Sequence, residues 1–340
     1  MGSSIKRCGG DHQNLADDHR RPCNPNTSRA LQGNLLDLED VALEVHLTVH
    51  AQAFEHLPQI AVEASAIDVG FVPVLVAAKR CRRRPMPDIA QEAGEQIMGI
   101  YDTDFKVDVK ADQSPLTEAD LAAHCCIVEA LEKISTFPII SEESATLPYA
   151  QRRQWTTYWL IDPLDGTKEF IKRNGNFTVN IALIHQHKPI LGVVYAPAKR
   201  QSYFAAASAG AFKQIGNGTE TDISVRTEIP KIMQVAGSRS HITPELESYL
   251  DNLPEHELMS IGSSLKFCLV AEGIIDIYPR MGLTSEWDTA AAQCVVEQAG
   301  GRVTETTGQD LQYNTKESML NPYFLVFGDV NHDWFCYIES

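Results

Sequence analysis

A chain of 340 residues exceeds the size that a single core usually serves, so two packed subdomains are expected. Its 44% hydrophobic and 22% charged residues are ordinary for a globular protein, while a net charge of −16 argues against a nucleic-acid binder; a small phosphorylated ligand remains open, because metal ions can offset its charge. No uncharged apolar run reaches the ~18 residues of a bilayer span, and eight cysteines without a C-x-x-C pair read as reduced, mostly buried residues of a cytoplasmic protein.

Residues 1–85 are neutral overall, so the remainder carries the whole charge, and five of the 11 histidines fall in this first segment. Apart from apolar patches at Val41 to Val49 and Ile60 to Ala78, it shows no sustained periodicity. The basic cluster Lys79 to Arg84 follows its apolar run, whereas a signal peptide places its charge first. The folded protein is therefore expected to begin at or near Met86. The first 85 residues are either the product of a start site placed too far upstream or a poorly structured extension.

From Met86 the pattern is regular. Ile89, Ala93, Ile97 and Tyr101 recur at spacing four and predict a helix over Pro87–Asp102. A strand-like piece follows at Phe105 to Val109, then Lys110-Ala111-Asp112-Gln113-Ser114-Pro115-Leu116-Thr117-Glu118-Ala119-Asp120. Thr117 with an acid three residues later is a helix-start pattern, and Leu121, Cys125, Val128 and Leu131 supply the periodic face behind it. By itself Asp120 is a capping residue.

Pro138-Ile139-Ile140-Ser141-Glu142-Glu143-Ser144 is a short apolar strand running into two acids. If strand geometry continues, adjacent side chains point opposite ways, so one glutamate enters a site while the other supports it. Next, Trp159-Leu160-Ile161 ends on Asp162-Pro163-Leu164-Asp165-Gly166-Thr167-Lys168-Glu169-Phe170, which sets two carboxylates three residues apart where a buried strand meets a turn. Such acids repel in a partly dry setting, and a shared proton or a bound hard cation relieves them. Read alone, Leu164-Asp165-Gly166 is only a turn.

Phe177–Ile184, Ile190–Tyr195, Gln201–Ala206 and Gly210–Gln214 read as antiparallel hairpins, giving an α+β half over residues 86–224. From residue 225 to 340 the signals alternate. Helices are expected at Pro244–Leu250, Ser263–Glu272 and Asp288–Gln298, with strands at Ile274–Tyr278, Arg302–Thr304 and Phe324–Phe327, so this half reads as α/β. In it lies Glu286-Trp287-Asp288-Thr289-Ala290-Ala291-Ala292, followed by Glu297-Gln298-Ala299-Gly300-Gly301. Alone, Asp288 is an N-cap for the Ala-rich helix that the glycines close.

Together, Trp-Leu-Ile-Asp-Pro-Leu-Asp-Gly-Thr, Ser-Pro-Leu-Thr-Glu-Ala-Asp and Trp-Asp-Thr-Ala-Ala with Glu-Gln-Ala-Gly-Gly resemble the signatures of the inositol monophosphatase family of magnesium-dependent, lithium-sensitive phosphatases. Lys168-Glu169-Phe170 points to its 3'(2'),5'-bisphosphate nucleotidase branch. The resemblance covers nearly all of Met86 to Gly328. It implies an αβαβα layered sandwich of two subdomains with the site between them. It implies two or three Mg²⁺ ions held by Glu142, Asp162, the Leu164 carbonyl, Asp165 and Asp288, with Glu143 beside them, and a water oriented by Asp120 and Thr167. Substrate contacts would come from the metal-site residues Glu142, Leu164, Asp165 and Asp288, from Gly166 and Thr167, and from His241, Ser263, Lys266 and Arg280.

The implied reaction is removal of the 3'-phosphate of adenosine 3',5'-bisphosphate, giving AMP, and attack on the 3'-phosphate of its sulfated analogue. The branch also implies peripheral contact with the cytoplasmic face of the inner membrane. Two rivals stand: a sibling phosphatase of inositol phosphates or fructose 1,6-bisphosphate, with the same acids but another Ser263–Lys266 and Arg280 region, and a non-catalytic sensor, which would not need Asp120 and Thr167.

Overall fold

The computed structural model describes residues 86–340 apart from 111–114, 146, 238–242 and 339–340. The reading of the first 85 residues, the three cysteines within them and His241 lie outside the described residues. Five layers stack, in the order helix, sheet, helix, sheet, helix.

The first layer pairs α1 (Met86–Tyr101) with α2 (Glu118–Glu132). Ile89, Ala93 and Ile97 of α1 are fully buried, as their spacing requires, and Tyr101 packs at the edge of the same core. The face expected for α2 is corrected. Leu131 is fully buried and Val128 packs against the core as expected, but Leu121 is 45% exposed, and the helix also buries Ala119, Asp120, Ala123, Ile127 and Ala130. Small residues let α2 lie close to its neighbours, and turning Asp120 inward rotates Leu121 to solvent. A short hairpin, β1 (Val107–Val109) with β2 (Pro115–Thr117), precedes α2.

The second layer is a seven-stranded sheet in chain order: β3 (Ile139–Ser141), β4 (Thr157–Asp165), β5 (Thr178–His185), β6 (Lys188–Ala196), β7 (Gln201–Ala206), β8 (Ala211–Ile215) and β9 (Thr221–Ile223). β3 and β4 are parallel and the remaining pairs antiparallel. Helices cover both faces of its centre, which is why β4 to β6 are nearly continuous apolar runs. Trp159 and Ile161 point to the α1–α2 layer, while Tyr158 and Leu160 point the other way. Short helices α3 (Tyr149–Arg152) and α4 (Thr167–Ile171) flank β4.

The second sheet has the order β11 (His256–Ser260), β10 (Met233–Gly237), β12 (Ile277–Arg280), β14 (Phe324–Phe327) and β13 (Arg302–Glu305). The first three are parallel neighbours and the last pairings antiparallel. β10 and β11 carry no strong apolar alternation and were not anticipated. Between the sheets lie α6 (Leu265–Ala271) and α7 (Ala290–Gln298), and α5 (Pro244–Asn252) covers the outer face. Cys268 and Cys294 are buried, Cys125 and Cys126 half-buried and Cys336 exposed, all five as free thiols. No described helix is long and apolar enough to cross a membrane.

Candidate active site

The site assembles where β3 and β4 end and where the chain turns into α7. Thr117 caps α2 through a reciprocal box: its hydroxyl accepts from Ala119 N at 3.2 Å, while Asp120 Oδ2 accepts from Thr117 N at 2.7 Å and Thr117 Oγ1 at 2.6 Å. The cap is thus real, and it leaves Asp120 Oδ1 free to accept from Thr167 Oγ1 at 3.3 Å. Burial pushes the Asp120 carboxyl up against the opposing pull of the Thr117 bonds. Capping and site roles coincide in one side chain.

β3 stops at Ser141, so Glu142 and Glu143 stand in a turn, contrary to the expectation that strand geometry carries on. Both carboxylates consequently reach one cation. Lys110 Nζ lies 2.7 Å from Glu142 Oε1 and 2.6 Å from Glu143 Oε1. Burial raises the Glu143 carboxyl to about 7 despite that bond. Burial disfavours the Lys110 charge, yet the two glutamates hold its pKa above the ordinary lysine range. His124 Nδ1 lies 2.9 Å from Ser141 Oγ and braces the strand end.

Asp162 continues the row of Tyr158 and Leu160 toward the second half and is 1% exposed. Its Oδ1 accepts from Leu164 N at 3.0 Å, which forms the turn, and the ladder with β5 shifts register between Asp162 and Asp165. Gly166 follows with φ +89°, a left-handed conformation glycine adopts without strain, and a Cβ there would stand 3.2 Å from Asn176 O. Thr167 Oγ1 lies 3.4 Å from the Leu164 carbonyl.

Asp165 Oδ2 accepts from Ser264 N at 2.6 Å and Asn180 Nδ2 at 3.2 Å, and Ser264 Oγ lies 2.7 Å from it. The same Ser264 Oγ lies 2.6 Å from the Asp288 carbonyl. One serine at the start of α6 therefore links the Asp165 carboxylate to the backbone of the Asp288 turn. Asp288 is not the N-cap of α7, a place Thr289 takes without a side-chain bond. Asp288 closes a 3-10 turn (Glu286–Asp288) as the third residue of a box with Ser285, whose N–H its carboxylate accepts at 2.9 Å.

Burial, and then the charges of Glu142, Asp165 and Asp288, raise Asp162 well above the usual carboxylate range. Burial, Asp165 and Glu142 do the same to Asp288. As they stand, no three acid, His or Cys side chains among the described residues converge to hold one metal ion. Their bonds run elsewhere: Lys110 holds Glu142 and Glu143, Asp165 Oδ2 accepts from Ser264 N and Asn180 Nδ2, and Asp162 and Asp288 each accept a backbone N–H. The donor set is all oxygen, buried or half-buried and rich in carboxylates, which fits a hard divalent cation.

A cleft of about 290 Å³ opens beside these acids, lined by Asp165, Gly166, Ser263, Lys266, Arg280 and Asp288 among others. Asp120, Glu142, Glu143, Asp162, Leu164 and Thr167 do not line it. Lys266 Nζ bonds Ser263 O at 2.8 Å and sits 5.2 Å from the centre of the Tyr278 ring. Burial lowers its pKa to about 8. Arg280 Nη2 donates to Leu283 O at 2.7 Å, while its Nε is buried without a partner. Sequence reasoning missed Lys110 and Ser264, since neither carries a residue-type signal of its own. Lys168 was read only as a marker of the branch, yet it lines the cleft together with Lys172.

The chain matches the inositol monophosphatase family over residues 84–335. It is 51% identical over 241 residues to the 3'(2'),5'-bisphosphate nucleotidase CysQ of Escherichia coli K12, covering 70% of this chain and 96% of that protein. The enzyme of the same name from Salmonella typhimurium is 49% identical over an equal length, with the same coverage. Among solved structures, the fold is similar to CysQ from Bacteroides thetaiotaomicron, a bacterial member of the inositol monophosphatase family, with a TM-score of 0.64 and 45% identity over 71% of this chain and 95% of that one.

Proposed function

Since the chain belongs to the inositol monophosphatase family, we propose that it is a magnesium-dependent 3'(2'),5'-bisphosphate nucleotidase that converts adenosine 3',5'-bisphosphate to AMP and phosphate. It would act likewise on the 3'-phosphate of the sulfated analogue, which links it to sulfate assimilation and nucleotide recycling. The observation that carries the reading is the bridge by Ser264, which joins Asp165 and Asp288 at a cleft holding Lys266 and Arg280. The names of relatives at about half identity support the substrate class.

Glu142, Asp162, the Leu164 carbonyl, Asp165 and Asp288 are the residues that would hold Mg²⁺. When bound, the cations supply positive charge against the phosphoryl and leaving oxygens and acidify a water. Thr167 Oγ1, which donates to Asp120 Oδ1, would take one proton from the attacking water as it passes its own hydroxyl proton to Asp120, so that Thr167 ends neutral and Asp120, whose raised pKa suits it to receive a proton, holds the one the water lost. Lys266 and Arg280 hold the 5'-phosphate by charge-assisted bonds and so turn the 3'-phosphate toward Asp165 and Asp288. Phosphoryl transfer needs little beyond such positioning and charge neutralisation.

Phosphate release from adenosine 3',5'-bisphosphate, inositol 1-phosphate and fructose 1,6-bisphosphate, with Mg²⁺ and with added Li⁺, tests the proposal. Mg²⁺-dependent turnover of the nucleotide, suppressed by Li⁺, is the expected result. Turnover of inositol or fructose phosphate alone rejects the substrate, and no turnover of any of the three favours a sensor.

A further inference from the structure

Behind the Asp288 turn lies a buried charged network with no part in the chemistry above. Arg152, at the end of α3 and 2% exposed, donates from Nη1 to Asn314 Oδ1 at 2.5 Å and from Nη2 to Lys316 O at 2.9 Å, with Glu317 O as a third acceptor. Asn314 returns a bond from Nδ2 to Arg152 O at 2.7 Å and donates its backbone N–H to Glu286 Oε2 at 2.8 Å. Glu286 is fully buried and also takes Lys316 Nζ at 3.4 Å. Its backbone N–H bonds Met319 O at 2.8 Å, and Asn321 Nδ2 holds Ser285 O at 2.8 Å.

The placement of this network gives it meaning. α3 joins β3, which runs into Glu142, to β4, which carries Asp162 and Asp165. Glu286 stands two residues before Asp288. Arg152, Glu142, Trp287 and Met319 line one small cavity of about 60 Å³, so Arg152 faces the same space as Glu142 and the residue before Asp288. None of Arg152, Asn314 and Glu286 lines the substrate cleft. Burying two opposite charges is a poor way to gain stability over apolar packing, whereas a bonded buried network fixes relative geometry.

We propose that Arg152, Asn314 and Glu286 act as positioning residues that clamp the Asp288 turn to the strand ends of the other half and thereby set the affinity of the acid site for a divalent cation. This rests on the reading that Glu142, Asp162, Asp165 and Asp288 bind such a cation. Loss of the clamp leaves the ligands in place but frees their separation, and outer partners of this kind typically govern metal affinity by roughly 10–100-fold.

The test is Mn²⁺ binding to the purified full chain, followed by the paramagnetic resonance signal of free Mn²⁺, with circular dichroism to verify folding. Glu286→Ala and Asn314→Gly should each weaken binding by about 10-fold or more, while Glu286→Gln, which keeps an acceptor for Asn314 N–H, stays close to wild type. Asn314→Gly suits its backbone, since Asn314 has φ +56°, and carries the test if Glu286→Ala does not fold. A purely structural role would lower the melting temperature and leave the affinity of folded protein unchanged. Folded variants with wild-type Mn²⁺ affinity overturn the clamp, whereas a wild-type protein that binds no Mn²⁺ overturns the cation reading itself.

Discussion

Lys266 is the residue whose charge responds most directly to assay conditions. Burial lowers its pKa to about 8, and Asp165 pulls only part of the way back. Its ammonium is therefore lost in mildly alkaline solution, and with it, if Lys266 holds the second phosphate as proposed, a partner for that group. KM for adenosine 3',5'-bisphosphate should rise above pH 8, approaching about tenfold per pH unit, and Lys266→Arg, always protonated, should flatten the profile. A wild-type KM that stays constant to pH 9.5 would remove Lys266 from the binding site. The same depression adds stability as pH climbs from about 8 toward the ordinary lysine value, because there the unfolded chain holds the proton more tightly.

At the level of elements, the seat of α7 on β6 decides where Asp288 goes. Gly192 of β6 leaves no room for a side chain: a Cβ would stand 2.1 Å from Ala291 O and 2.9 Å from Cys294 Cβ. Gly192→Ala must push α7 off the sheet, and the Asp288 turn, which leads into that helix, moves with it. The expected cost is about 1–3 kcal/mol of stability, read as a lower urea midpoint, together with weaker cation binding. An unchanged midpoint would mean that α7 does not rest on the β6 backbone. Close contact of this kind explains why the stretch from Ala290 to Ala292 is made of small residues.

For the whole molecule, the dominant fact is negative charge gathered at the end of β4 and the turn before α7. Asp162 and Asp288 have raised pKa values from burial and mutual repulsion. Above the ordinary carboxylate range the folded state then binds more protons than the unfolded one, so without a cation stability falls as pH rises toward those raised values. If Mg²⁺ binds these acids as proposed, it must displace the same protons. The rise in melting temperature on adding Mg²⁺ to chelator-treated protein should be larger at pH 8 than at pH 5. Equal shifts at the two pH values, measured by calorimetry, would show that the buried acids are not the binding groups.

The sequence alone determined the family and the layered architecture and singled out the acids proposed for the site, because these depend on local signals: apolar runs, turn residues and carboxylates at fixed spacing. Asp165, Asp288 and the Thr117–Asp120 box were legible for that reason, and so were the helices α1 and α5 and the strands β5 to β8. Only the tertiary structure decided what stands opposite each acid. Lys110 between Glu142 and Glu143, Ser264 between Asp165 and Asp288, and Arg152 against Asn314 join residues 24 to 162 positions apart. No periodicity encodes such pairs, since they arise from the packing of sheets and helices whose separation along the chain is large. The buried face of α2 was misjudged on the same ground: periodicity selects apolar positions, but the neighbouring α1 and the demands of Asp120 select the side that turns inward.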